Sequence, residues 1–157
     1  MSLEGQQLGR YRLERRLGSG GMGEVYLATD TLINRQVAIK LIRAEVASYP
    51  NVNATSEAAR LFQREMKTIT QLDHPHILPL FDQGEESVNG AKLSFLVMPF
   101  RQEGSLAAWL HEHSKTGLLS PRQASHIVSQ AAEALQHAHD RQIIHQDVKP
   151  ANSLIRH

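Results

Sequence analysis

Gly18-Ser19-Gly20-Gly21-Met22-Gly23-Glu24-Val25 is the stretch on which the fold turns. Its G-x-G-x-x-G-x-V spacing lets a turn approach a phosphate chain and aim backbone N–H groups at it. In dinucleotide-binding folds a similar spacing opens a helix, so the flanking segments decide the reading. Upstream, Tyr11 to Leu17 alternates as a half-buried strand does, and downstream Glu24 to Thr29 is again strand-like. The glycines therefore join two strands. For this motif alone, an ordinary glycine hairpin remains the alternative.

Working outward, a turn around Asp30 to Arg35 leads to a third strand, Gln36 to Ile42, which completes an antiparallel meander. That strand holds Val37-Ala38-Ile39-Lys40. A lysine at such a place is either a solvated edge charge or, beside a glycine turn, an ammonium that holds α- and β-phosphates. Ser56 to Leu72 changes to helical spacing, with Leu61, Phe62, Glu65, Met66, Ile69 and Leu72 recurring. Glu65 borders that apolar stripe and is the expected partner of Lys40; Glu57 competes, and a surface carboxylate is the plain alternative. Ile77 to Asp82 and Leu93 to Met98 read as two more strands joined by a polar loop, Gln83 to Ala91. Five strands and one helix make a small lobe.

Beyond Gly104 the pattern becomes helical. A short helix over Ser105 to Lys115 is expected to end at Gly117 as C-cap. A longer one begins with Ser120 as N-cap and Pro121 at the first helical position, where a missing N–H costs nothing. It is expected to run to about Arg141, with Ile127, Ala131, Ala134, Leu135 and Ala138 on one face. Past it lies His145-Gln146-Asp147-Val148-Lys149-Pro150-Ala151-Asn152. A carboxylate can take a hydroxyl proton, a lysine can offset γ-phosphate charge, and an amide oxygen can ligate Mg²⁺. All three at this spacing are not expected of a chance polar loop.

Composition narrows the remaining classes. The chain has 157 residues, 41% hydrophobic and 21% charged, which suits a globular domain. With 17 basic and 16 acidic residues the formal charge is +1, so charge gives no reason to expect nucleic acid or an anionic membrane as partner. The nine histidines form no ligand array; His111/His113 and His137/His139 are i,i+2 pairs that diverge on a helix. There is no cysteine, hence no disulfide framework or thiolate zinc site, which fits a cytoplasmic setting. No apolar run, Leu93 to Phe100 included, is long enough to cross a bilayer.

Glycine loop, V-A-I-K strand, helix glutamate and H-Q-D-x-K-x-x-N loop, in this order, resemble the eukaryotic-type (Hanks-type) serine/threonine protein kinases over nearly the whole chain. Leu8 to Leu41, Leu72-Asp73-His74-Pro75-His76-Ile77 and Asp147 to Asn152 look most like the bacterial members. The resemblance implies an α+β kinase-like fold: an N-terminal segment 1–10, a small lobe 11–100 of five antiparallel strands plus helix C, and a hinge with the first large-lobe helices over 101–157. It implies ATP and Mg²⁺ as cofactors and a protein Ser/Thr hydroxyl as acceptor, Lys149 being what separates this class from tyrosine kinases. ATP would be held by Gly18, Ser19, Gly20, Gly21, Met22, Gly23, Lys40 and Glu65. Val25 and Ala38 above and Leu154 below would sandwich the base. Met98 would be the gatekeeper, with the Pro99 carbonyl and the Arg101 N–H facing adenine. Asp147, Lys149 and Asn152 would be catalytic, Asn152 also binding Mg²⁺.

Two departures from the family pattern stand out. Gln146 occupies the place where an arginine usually pairs with a phosphorylated activation loop, which implies different regulation or relaxed constraint. The sequence ends five residues after Asn152, before any D-F-G segment, so transfer by this chain alone is not expected. The alternative function is a catalytically inactive, nucleotide- or partner-binding module, with an intact kinase or another partner covering the exposed large-lobe face along the long helix.

Overall fold

Side chains that alternate along neighbouring strands sort onto two faces, of which one forms the core. The computed structural model describes residues 3–20, 23–43, 67 and 69–156. They divide into two units: described residues up to 71 together with Pro79–Phe100, and Leu72–Leu78 together with 101–156.

The first unit is a six-stranded antiparallel sheet. Its strands are β1 (Gln7–Leu8), β2 (Tyr11–Gly20), β3 (Gly23–Asp30), β4 (Arg35–Arg43), β5 (Asp82–Val88) and β6 (Ala91–Pro99), in the order β1-β2-β3-β4-β6-β5. Val37, Ile39 and Leu41 of β4 lie opposite Ala28, Tyr26 and Glu24 of β3, and opposite Pro99, Val97 and Phe95 of β6. Directly opposed residues share a face. Val37, Ile39, Tyr26, Ala28 and Val97 are accordingly sealed from water with Leu8, Tyr11, Leu13, Val88, Leu93 and Phe95. Each fully buried branched side chain contributes about 1.5–3 kcal/mol. The Tyr11 ring meets Phe95 edge-on, and its hydroxyl donates to Asp82 Oδ2 at 2.6 Å. Burial, then that bond, pushes the Tyr11 pKa up to about 12.

Four strands correspond to the expected ones, and β1 adds a two-residue edge through Leu8↔Tyr11 and Gln7↔Arg12. The expected strand Ile77 to Asp82 is incorrect: pairing begins at Asp82 and runs through the supposed loop Gln83 to Ala91. β5 is an edge strand with exposed Asp82, Gln83, Glu85 and Glu86, and only Val88 buried. Such polarity deters edge-to-edge pairing and reads as loop in a sequence. The hairpin to β6 turns on Asn89 and Gly90, with φ 53° and 81°, the signs a two-residue type I′ turn requires.

Helix α1 (Leu106–Ser114) starts where the Ser105 hydroxyl accepts the Ala108 N–H at 3.2 Å. Its C-cap is Lys115, in right-handed conformation, not the expected Gly117. Lys115 supplies the stop itself, donating its N–H to the Glu112 carbonyl and its ammonium to the Glu112 carboxylate. Helix α2 (Pro121–His139) opens with a reciprocal box: the Gln123 N–H donates to Ser120 Oγ at 3.2 Å, and the Ser120 N–H to Gln123 Oε1 at 3.0 Å. It closes two residues before Arg141, because Gln142 turns left-handed (φ 62°) and the Ile143 N–H folds back to the Ala138 carbonyl. Ala138 is buried and Ile127, Ala134 and Leu135 half-buried, but Ala131 is exposed. Of the expected helix Ser56 to Leu72, only Lys67 and Ile69 are described as helical; the rest up to 66, with Glu65, lies outside the described residues.

Ile39→Ala should lower unfolding stability by about 2–5 kcal/mol through a cavity in this core. Ile33→Ala, at a position 54% exposed, should stay within about 0.5 kcal/mol. Urea denaturation of both variants checks the pair; equal losses would contradict the assignment of faces.

Candidate functional site

The sheet face opposite the core carries the first group of site residues. Lys40 lies opposite Val25 on one side and Leu96 on the other; Ala38 lies opposite Leu27 and Met98. Val25, Ala38, Lys40 and Met98 therefore share one face, with cross-strand partners about 4.5–5.5 Å apart at Cα. Val25, Lys40 and Met98 are half-buried there, and Ala38, with its single methyl, is 7% exposed. Small and apolar side chains beside one ammonium form a surface suited to a flat base joined to an anion. Pro99 lies on the other face, opposite Val37, and is buried.

Strands β2 and β3 bring the glycines to one end of this face. Gly18 lies opposite Val25, Ser19 opposite Glu24, and Gly20 opposite Gly23. The register shifts between Leu13 and Arg15 and again between Arg16 and Gly18, irregularities of the kind that bend and twist a strand. Gly23 cannot be another residue without rearrangement: its φ is 130°, and a Cβ would collide with the Leu41 carbonyl oxygen. Gly21 and Met22, between them, lie outside the described residues, as does Glu65.

The second group is a closed polar cluster. Asp147 Oδ2 lies 3.1 Å from Lys149 Nζ. The Asn152 amide nitrogen donates to the same oxygen at 2.9 Å and to the Asp147 carbonyl at 3.0 Å. Gln146 adopts a left-handed φ of 64°, and the next N–H, that of Asp147, donates to His145 Nδ1 at 3.2 Å. A one-turn 3₁₀ helix, Pro150–Asn152, then places Asn152 back over Asp147. Behind the cluster, Leu106 N–H donates to the Ser153 carbonyl at 2.7 Å and Ile155 N–H to the Gly104 carbonyl at 3.0 Å, with Leu154 bridged to Ser105. The loop is thus tied to the start of α1, an anchor the sequence did not reveal. Arg101 belongs to the same unit, its carbonyl accepting the Gly104 N–H. His145 was missed as a bracing residue, although it stands in the same motif.

The hydrogen bonds from Lys149 and then Asn152 hold the Asp147 carboxyl below its ordinary pKa. With the Asn152 NH₂ directed at Asp147, its Oδ1 is the atom left for a cation. Mg²⁺ is usually bound by one or two protein oxygens plus phosphate and water, so one amide oxygen fits part of such a shell. Among the described residues, no group of three or more His, Cys, Asp or Glu side chains is placed to hold a metal. No described helix is long and apolar enough to cross a membrane.

A paired antiparallel sheet with a glycine-joined β2–β3 pair, a face-sharing lysine and an Asp-Lys-Asn cluster are the features that the kinase resemblance implies. The protein kinase domain model matches residues 11–157, and the chain belongs to that family. Among curated proteins it is 40% identical over 149 residues to the serine/threonine-protein kinase PrkC of Bacillus subtilis, covering 95% of this chain and 21% of that one. It is 39% identical over 148 residues to PknA of Mycobacterium tuberculosis, covering 94% and 32%. Among solved structures, the Mycobacterium tuberculosis PknI kinase domain superposes with a TM-score of 0.72 at 31% identity, covering 95% of this chain and 56% of that domain. The chain thus spans a fifth to a third of the length of these curated relatives.

Because the folded Asp147 pKa lies below the unfolded value, its ionised form favours the fold. That contribution is present above the ordinary carboxylate range and lost as pH falls through the folded pKa. Lys149→Met and Asn152→Ala should each move the Asp147 titration upward, as read by carboxyl-carbon NMR, with Lys149→Met the larger shift. An unmoved titration in both would mean the cluster does not form in solution.

Proposed function

We propose that this chain carries the nucleotide-holding and phosphate-transfer residues of a serine/threonine protein kinase, which passes the γ-phosphoryl of ATP to a protein Ser or Thr hydroxyl. The observation that carries the reading is the joined Asp147–Lys149–Asn152 cluster. The hydroxyl oxygen forms a bond to γ-phosphorus, the bond from phosphorus to the β,γ-bridging oxygen breaks, and ADP leaves. Asp147 orients the hydroxyl and receives its proton. A carboxylate with a lowered pKa is a weak base, so it takes that proton late, after bond formation to phosphorus has made the hydroxyl acidic.

Lys149 exchanges its pairing with Asp147 for the γ-phosphate, and Lys40, oriented by Glu65, holds the α- and β-phosphates. Gly18, Ser19, Gly20, Gly21, Met22 and Gly23 offer backbone N–H groups to the phosphates. Val25, Ala38 and Met98 face the base and the Pro99 carbonyl addresses its edge; Leu154 and the Arg101 N–H are the further contacts that the family pattern adds. Asn152 supplies one oxygen to Mg²⁺, whose role is to neutralise charge on the β- and γ-phosphates. The lack of cysteine supports a reducing, cytoplasmic site of action. The second reading, a nucleotide- or partner-binding module without transfer, draws support from Val128 and Ile144, which are 66% and 69% exposed.

Two measurements separate these readings: binding of a fluorescent ATP analogue with Mg²⁺, and incorporation of labelled γ-phosphate into a Ser/Thr protein. Lys40→Met should weaken binding by about tenfold or more, the scale of one charge-assisted contact of about 1.5–3 kcal/mol. Asp147→Asn should leave binding intact and, where a D-F-G segment follows these residues, lower transfer by about 10²–10⁴-fold. Binding without transfer in that longer chain would favour the module; no ATP binding would overturn the kinase reading and leave only a partner-binding module.

A further inference from the structure

One half-buried titratable group in the second unit has no part in the proposed transfer chemistry. His137, near the end of α2, has its Nε2 shielded from solvent and without a hydrogen-bond partner among the described residues. Its ring lies 5.1 Å from that of His74, centroid to centroid, tilted by 46°, and His74 in turn lies 5.5 Å from His76. His74 is fixed within its own segment: Nδ1 accepts the His76 N–H at 3.1 Å, and its carbonyl accepts the Ile77 N–H at 3.0 Å. Just past the end of α2, Arg141 Nη1 lies 3.3 Å from His137 Nδ1 and donates to the His137 carbonyl at 3.1 Å. A guanidinium has donors only, so His137 Nδ1 accepts and the proton of the neutral ring sits on the enclosed Nε2.

We propose that His74 and His137 form a pH-sensitive clasp, pinning Leu72–Leu78 to helix α2 while the His137 ring is neutral and releasing it when that ring is protonated. A second proton on His137 would have to sit at Nδ1, against the guanidinium. Among the described residues, burial weighs first against the charged ring, followed by Arg141 and His74, while Asp140 at the helix C-cap and Asp73 on the facing segment favour it less strongly. Glu133, one turn earlier on α2, is directed to His76, with 3.9 Å between Oε2 and Nε2. The balance holds the His137 pKa below its ordinary value.

The sign follows from that displacement. Above the ordinary histidine range of about 6.5 the ring is neutral whether clasped or free. Below it the free ring gains a proton that the clasped ring resists, so the clasp weakens as pH falls toward the folded pKa. The clasp holds the stretch by which the chain passes from helical Lys67 and Ile69 to β5, next to the segment expected to carry Glu65. It stands independently of the proposed transfer activity.

Amide hydrogen exchange of the chain at pH 7.5 and 5.5, corrected for intrinsic rates, tests the proposal at Ile77, whose N–H is held by the His74 carbonyl. Loss of its protection at pH 5.5 is expected, with protection within α2 retained. His137→Phe keeps a ring in place without a proton to gain, and should hold the protection at both pH values. In the unsubstituted chain, the His137 ring-proton resonance should titrate below the ordinary histidine range. Unchanged protection between the two pH values, or a loss that persists in His137→Phe, would overturn the clasp, as would an ordinary His137 titration.

Discussion

The register that locks β4 between β3 and β6 is the constraint on which the rest of this structure depends. In β4 the side chains of Val37, Ile39 and Leu41 go to the core, and those of Ala38 and Lys40 to the other face. A slip of one residue would drive the Lys40 ammonium into an apolar interior and expose Ile39. The hydrophobic effect that folds the sheet therefore also positions Lys40. Core and site are two faces of one alternation.

The Asp147 cluster obeys a different rule. It is exposed, so burial does not hold it; geometry within a short loop does. Gln146 takes a left-handed conformation that a non-glycine residue adopts at a cost. The bonds from Asn152 and Lys149 to one carboxylate, and the ties of Ser153 and Ile155 to the start of α1, offset it. An exposed cluster braced in this way stays open to a substrate while keeping its donors aimed.

Much of this was legible in the sequence because the signals were local. Ser120-Pro121 announced α2, the alternation from Tyr11 announced β2, and Asp147, Lys149 and Asn152 stood at a spacing that one loop can close. What stayed hidden depends on partners distant in sequence. β5 was mistaken for a loop because an edge strand is polar by necessity, although Asn89-Gly90 carried the hairpin signal. The pairing of Gly104 and Ser105 with Leu154 and Ile155 joins segments about fifty residues apart, and no periodicity encodes that. The His74–His137 contact was equally out of reach, since counting histidines along one helix shows only that neighbours diverge.

Methyl-labelled NMR during titration with Mg²⁺ and ATP tests the central claim most directly, because opposite faces of the same strands report separately. The account predicts that the Val25, Ala38 and Met98 methyls move while those of Val37, Ile39 and Val97 stay in place. Shifts confined to the Val37, Ile39 and Val97 set, or no shifts on either face, would contradict it.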